Sequence, residues 1–152
     1  MTFTNQELAE LVFDVLKTNQ IIHRAEIQAF DWDILLRLQN LNANINTAYL
    51  IDRLNLSYYQ TQSHKFNNSI LYMIKSLGGR CYEPQDILLT KQDIDIAHDY
   101  GLKVVSWSNP ENNGIVFNEL LIKQFINWDI DGIITDDPLR LKSLLFYLIK
   151  RL

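Results

Sequence analysis

Gly101-Leu102-Lys103-Val104-Val105-Ser106-Trp107-Ser108 and, one helix-length later, Asp131-Gly132-Ile133-Ile134-Thr135-Asp136-Asp137-Pro138 decide how this chain folds. Each is a short β-branched run that ends in polar residues, and the segment between them carries Phe117, Leu120, Leu121 and Phe125 at helical spacing. A βαβ unit follows, with both strand ends opening on one face. In parallel α/β sheets that face binds ligands. The loop-like Asn109-Pro110-Glu111-Asn112-Asn113-Gly114 lies directly after Trp107, on the same side.

Upstream, the same alternation repeats. Thr4 and Glu7 have the spacing of a capping box, and Leu8, Leu11, Val12, Val15 and Leu16 predict one apolar helix face over residues 5–17. Ile21 to Phe30 has no Gly or Pro and predicts a strand that ends where Asp31 can cap the next helix, whose stripe is Ile34, Leu35, Leu38 and Leu41. Asn46 to Asp52 predicts a second strand, and the polar stretch Ser57 to His64 a connection. A helix through Phe66, Ile70, Met73, Ile74 and Leu77 then ends at Gly78-Gly79. Arg80 to Glu83 forms a strand closed by Pro84, and Thr90 caps a helix that stops at Gly101. Beyond the opening pair, Asp136 or Asp137 caps a last helix striped by Leu141, Leu144, Leu145, Leu148, Ile149 and Leu152. Five strands alternating with six helices predict a parallel α/β sheet, either open or part of a barrel.

The totals limit the function classes. A chain of 152 residues predicts one domain, 1–152, with an adequate core. A net charge of -4 argues against a nucleic-acid partner, and the single cysteine, Cys81, excludes an internal disulfide. The N-terminus has no basic region followed by an apolar core, and no apolar run is long enough to span a bilayer, so the expectation is a cytoplasmic chain without a transmembrane segment. Neither a Gly-x-Gly-x-x-Gly motif nor a phosphate loop occurs.

Four segments together carry a resemblance: Ile27-Gln28-Ala29-Phe30-Asp31; Leu88-Leu89-Thr90 leading to Gly101-Leu102-Lys103-Val104; Trp107-Ser108; and Asp131-Gly132-Ile133-Ile134-Thr135-Asp136-Asp137-Pro138. In this order and spacing they resemble the glycerophosphodiester phosphodiesterase family. The resemblance implies a partial barrel of the triosephosphate isomerase type, about its last five βα units. It also implies the family reaction, metal-dependent hydrolysis of glycerophosphodiesters to an alcohol and glycerol 3-phosphate in phospholipid metabolism. The family's acid–base histidines and its carboxylates for Ca²⁺ or Mg²⁺ belong to the first part of the barrel. The expectation is therefore no catalytic residue, no metal ligand and no cofactor in this chain, and inactivity on its own.

By the same resemblance Trp107, Gln28 and Phe30 form the substrate-binding set, facing a glycerophosphodiester or a glycerol 3-phosphate-like ligand. Trp107 and Phe30 have a plainer reading as barrel interior, and next to Gln28, Ala29 stands where the family usually has Ser. His23-Arg24-Ala25 resembles the family's His-Arg-Gly, but a catalytic copy belongs at a strand's end and is followed by Pro-Glu-Asn, which is absent. His64 and His98 read as surface or cap residues, Asp136 and Asp137 as helix caps, Glu83 as a solvated strand end, and Arg140, Lys142, Lys150 and Arg151 as a solvated helix face. Besides an enzyme completed by another chain, the sequence admits a noncatalytic binding module or an unrelated open α/β domain. Two uncovered sheet edges and exposed interior side chains predict a homo-oligomer or a complementing chain, with the first helix the element to cross over.

Overall fold

Helix α1 (Asn5–Thr18) starts as its capping box requires: the Thr4 hydroxyl accepts from the Glu7 N–H at 3.2 Å, and the Glu7 carboxylate accepts from the Thr4 N–H at 2.8 Å. The structure is a computed structural model and describes residues 2–109 and 118–150. The expected loop over 110–114, the stripe positions Phe117 and Leu152, Arg151 and the Ile149 side chain lie outside the described residues.

Among the described residues five strands follow: β1 (Glu26–Ala29), β2 (Asn46–Ile51), β3 (Cys81–Pro84), β4 (Lys103–Trp107) and β5 (Gly132–Ile134). They are all parallel, and their order in space is their order in the chain. Between and after them run α2 (Trp32–Leu41), α3 (Leu56–Gln62), α4 (Ile70–Ser76), α5 (Lys91–Asp99), α6 (Glu119–Asn127) and α7 (Pro138–Ile149). A sheet that adds each new strand on the same side and keeps one crossover hand carries its helices on one face. The result is a half-barrel of the triosephosphate isomerase type.

Side chains alternate across each strand, so the two faces receive different residues. Ile27, Ala29, Tyr49, Ile51, Tyr82, Val104 and Ile133 enter the core under the helices, with Trp32, Leu35, Ile74, Ile94, Ile122 and Phe125 against them. Gln28, Ala48, Leu50, Cys81, Glu83, Val105 and Trp107 take the opposite, concave face. A smaller core, Ala9, Leu16, Leu38 and Ile45, fixes α1 onto α2 of its own chain. This differs from the expected α1 stripe: Leu8, Leu11 and Val15 are exposed, because α1 meets one neighbouring helix and buries only a narrow face.

Two other local expectations are corrected. Ile21 to Phe30 is not one strand: Ile22–Arg24 form a 3₁₀ turn closed by the Arg24 N–H on the Ile21 carbonyl, and β1 begins only at Glu26. His23 therefore lies before the strand, exposed, at the end away from Phe30. The polar stretch after β2 is helical, α3 followed by a 3₁₀ turn at Ser63–Phe66, because Tyr59 supplies its buried contact.

The two glycines that close α4 have different tasks. Gly78 takes the left-handed conformation, φ 81°, that ends the helix. Gly79 is needed for space, since a Cβ there would lie 2.4 Å from Tyr49 Cε2 and 2.6 Å from Ile74 Cγ2, both in fully buried side chains. Gly79→Ala is expected to destabilise the fold by roughly 1–3 kcal/mol through overpacking, measured as a lower urea midpoint at unchanged slope. Gly78→Ala, strained at its φ but not crowded by core, serves as the comparison.

Candidate functional site

The ends of β1, β4 and β5 and the start of α7 enclose a cavity of about 370 Å³ lined by Gln28, Phe30, Leu50, Trp107, Ser108, Ile134, Thr135, Asp136, Asp137, Arg140, Leu141 and Leu144. All three residues expected to bind substrate, Trp107, Gln28 and Phe30, are among them. Phe30 and Trp107 meet edge to face, with ring centroids 5.4 Å apart and planes at 78°. Such a pair presents an apolar wall with one ring face open.

Neither aromatic is held loosely. The Trp107 indole N–H donates to the Glu83 carbonyl at 3.1 Å, and the neighbouring Ser106 hydroxyl donates to the Pro84 carbonyl at 3.2 Å, which ties the end of β4 to β3. The indole donor is thus committed, and a ligand meets only the ring. Phe30 is placed through its backbone: the Tyr59 hydroxyl donates to the Phe30 carbonyl at 2.6 Å and accepts from the Trp32 N–H at 3.1 Å, with the Trp32 and Tyr59 rings stacked at 3.6 Å. Asp31 caps α2 by accepting from the Asp33 N–H, so β1 ends at Ala29 and Phe30 sits in the corner between strand and helix. Gln28 is exposed on the cavity side, and its amide is not engaged by another described residue.

Asp137 caps α7 as expected, accepting from the Arg140 N–H at 3.0 Å. Arg140 is the residue the sequence reading placed on a solvated face; it is exposed, but it borders the cavity. It is the cation of the lining. None of the three histidines lines the cavity: His23 is in the turn before β1, His64 faces Asn68, and His98 Nε2 lies 2.9 Å from Asp131.

Behind Trp107 lies a polar centre that the sequence reading missed. Glu83 is not a solvated strand end but 3% exposed, and Gln85 and Asp86 are buried beside it. Glu83 Oε2, Gln85 Nε2 and Asp86 Oδ2 have no hydrogen-bond partner among the described residues. Burial pushes the Glu83 carboxyl up to about 7, and the negative Glu26 adds to this while the Cys81 thiol opposes it. Asp86 is raised for the same first cause, with the Ile87 N–H and Ser108 acting against it. A strand-end glutamate offers no sequence signal for this; its burial comes from neighbouring strands.

The family's cation can be tested against the donors present. Among the described residues one group of three possible ligands converges, Glu26, Cys81 and Glu83, with one donor atom from each all within 4.8 Å of the others. Ca²⁺ and Mg²⁺ take oxygen ligands, and a thiol in the set does not suit them. These residues do not fit that cation, and no step is assigned to it.

The family model for the glycerophosphoryl diester phosphodiesterase family matches residues 2–140. No curated protein matches the chain. Three solved structures are similar to it. A chain from Silicibacter pomeroyi assigned as a glycerophosphoryl diester phosphodiesterase is 24% identical with a TM-score of 0.78, over 95% of this chain and 45% of that one. A glycerophosphodiester phosphodiesterase from Parabacteroides distasonis is 18% identical with a TM-score of 0.72, over 99% and 55%. A phosphodiesterase from Oleispira antarctica, in complex with the product sn-glycerol-3-phosphate, is 15% identical with a TM-score of 0.67, over 93% and 50%. The chain thus spans about half the length of the structures it matches.

The raised Glu83 carboxyl has a signed consequence. A carboxyl easier to protonate in the folded state costs nothing below its ordinary value of 4.5, and stability falls as pH rises from there through about 7. Urea unfolding in metal-free buffer at the two ends of that window should show wild type losing on the order of 3 kcal/mol more than Glu83→Gln. Equal losses would put the carboxyl in an ordinary solvated setting.

Proposed function

The chain belongs to the glycerophosphoryl diester phosphodiesterase family, and on that premise we propose that its cavity holds the glycerol phosphate part of a phosphodiester. Trp107 and Phe30 lie against the carbon skeleton, the Gln28 amide bonds a hydroxyl or ester oxygen, and the Arg140 guanidinium meets the phosphate. The observation that carries the reading is the convergence of an apolar aromatic wall, an uncommitted amide and one guanidinium on a single cavity. The sn-glycerol-3-phosphate held by the Oleispira antarctica phosphodiesterase is a ligand of this chemistry.

The family reaction breaks a P–O bond to leave glycerol 3-phosphate and an alcohol. It needs one group to take a proton from the attacking water and one to give a proton to the leaving oxygen. The cavity has no histidine lining it; of its two carboxylates Asp137 is engaged in capping α7, and Asp136 alone does not supply both an acid and a base. In this reading the chain by itself binds without hydrolysing, and turnover requires groups contributed by a partner.

Isothermal titration with glycerol 3-phosphate is expected to show binding that Trp107→Ala and Arg140→Ala each weaken about tenfold or more. The accompanying tryptophan fluorescence change should vanish in Trp107→Phe. Neither heat nor fluorescence change at millimolar ligand would sink the reading of the cavity. The same protein should release no glycerol 3-phosphate from a glycerophosphodiester with Ca²⁺ or Mg²⁺ present; metal-dependent release would sink the reading of inactivity.

The partner we propose is a second copy or a complementing chain. β1 and β5 are the sheet edges, and Leu8, Leu11 and Val15 form an exposed apolar strip on α1, at 37%, 47% and 58% exposure. With α1 docked on its own α2, the contact proposed is that strip. Light scattering should show a dimer or larger species that Leu11→Glu shifts to a folded monomer, and a monomeric wild type at micromolar concentration would count against it.

A further inference from the structure

We propose that Glu26, Cys81 and Glu83 form a binding site for a zinc-type divalent cation on the concave face of the sheet, separate from the cavity assigned to glycerol phosphate. None of the three lines that cavity.

The site is built by register. Cys81 and Glu83 are two apart on β3 and so share a face, with the Cys81 Sγ 3.9 Å from Glu83 Oε1. Ala48 on β2 pairs with Cys81 on one side and with Gln28 of β1 on the other, and its side chain is a single methyl. Glu26, on β1, reaches across that low point, and one donor atom from each of the three residues lies within 4.8 Å of the others. A tetrahedral zinc holds a thiolate sulfur and a carboxylate oxygen about 3.5 Å apart, so movement of the flexible Glu26 side chain by about 1 Å would close the set.

The second observation is the unsatisfied carboxylate oxygen. Glu83 is 3% exposed and its Oε2 has no hydrogen-bond partner among the described residues. A buried polar atom without a partner costs free energy that a bound cation would offset. Its side chain and the almost wholly buried Cys81 thiol face the same spot, and the exposed Glu26 marks the side from which an ion enters. Lys103, beside Cys81 in register, is exposed and can keep its ammonium in solvent.

The donors select the ion. One sulfur and two carboxylates suit Zn²⁺ or Cd²⁺ and leave a fourth position for water, whereas Ca²⁺ and Mg²⁺ gain nothing from sulfur. On binding, the metal–sulfur bond replaces the S–H bond and the proton goes to solvent.

Chelator-treated protein titrated with Cd²⁺ should develop the thiolate-to-cadmium charge-transfer absorbance at one equivalent per chain, and Zn²⁺ should displace it while excess Ca²⁺ or Mg²⁺ does not. Glu26→Gln and Glu83→Gln should each weaken Cd²⁺ binding roughly tenfold or more, and Cys81→Ser should remove the band. Glu26 is exposed, so Glu26→Gln keeps its fold even where a change at Glu83 does not. Absence of the band in wild type, or a band of unchanged affinity in Glu26→Gln, overturns the proposal. Glycerol 3-phosphate binding, expected to be unchanged in Glu26→Gln, reads the cavity independently.

Discussion

Strand order equal to chain order, in a sheet that is wholly parallel, is the constraint on which the other features depend. Every connection must return over the sheet, and the described helices return over the same face, so among the described residues one face is helix-covered and the other is not. Within Cys81-Tyr82-Glu83-Pro84-Gln85 this separates residues one position apart into opposite roles. Tyr82 goes into the core under the helices, while Cys81, Glu83 and Gln85 go to the concave side. The polar residues of β3 are there because alternation leaves them no other place.

Position along the concave face is then set by a few directional bonds. The Tyr59 hydroxyl, bonded to Phe30 and Trp32 at once, fixes the corner from which Phe30 projects. Trp107 is fixed by its own indole N–H on the backbone of β3. The aromatic wall is therefore coupled to two neighbouring elements and does not depend on the ligand for its shape. At the rim of the cavity stand Gln28 and Arg140, the residues to which the proposed reading gives the polar contacts.

The parts legible in the sequence were those set by local chemistry. Thr4 with Glu7, Thr90, and Asp137 before Pro138 each cap a helix through bonds spanning three residues, and β-branched runs marked the strands. The family motif placed Gln28, Phe30 and Trp107 at one end of the sheet because strand ends in a parallel sheet share a side. What escaped was nonlocal or disguised. Helix α3 reads as polar since its buried residue is a tyrosine with polar neighbours, and the turn at Ile22–Arg24 is hidden among strand-forming residues. The burial of Glu83, the close approach of Tyr49 to Gly79 and the place of Arg140 at the cavity all come from segments far away in the chain.

Cys81 has one further consequence. It stands on the middle strand of five, is 1% exposed, and its thiol is pushed up by burial first and then by Glu83, Glu26 and Asp131, with Lys103 opposing. Alkylating reagents attack the thiolate and need access to it, and the buried thiol offers neither in the resting fold. A reagent reaches it when the side chains over the concave face, Glu83 and Glu26 among them, move aside, so the labelling rate of this one sulfur counts those local openings. Fraying at the chain ends goes unrecorded, because Cys81 lies on the middle strand of the sheet.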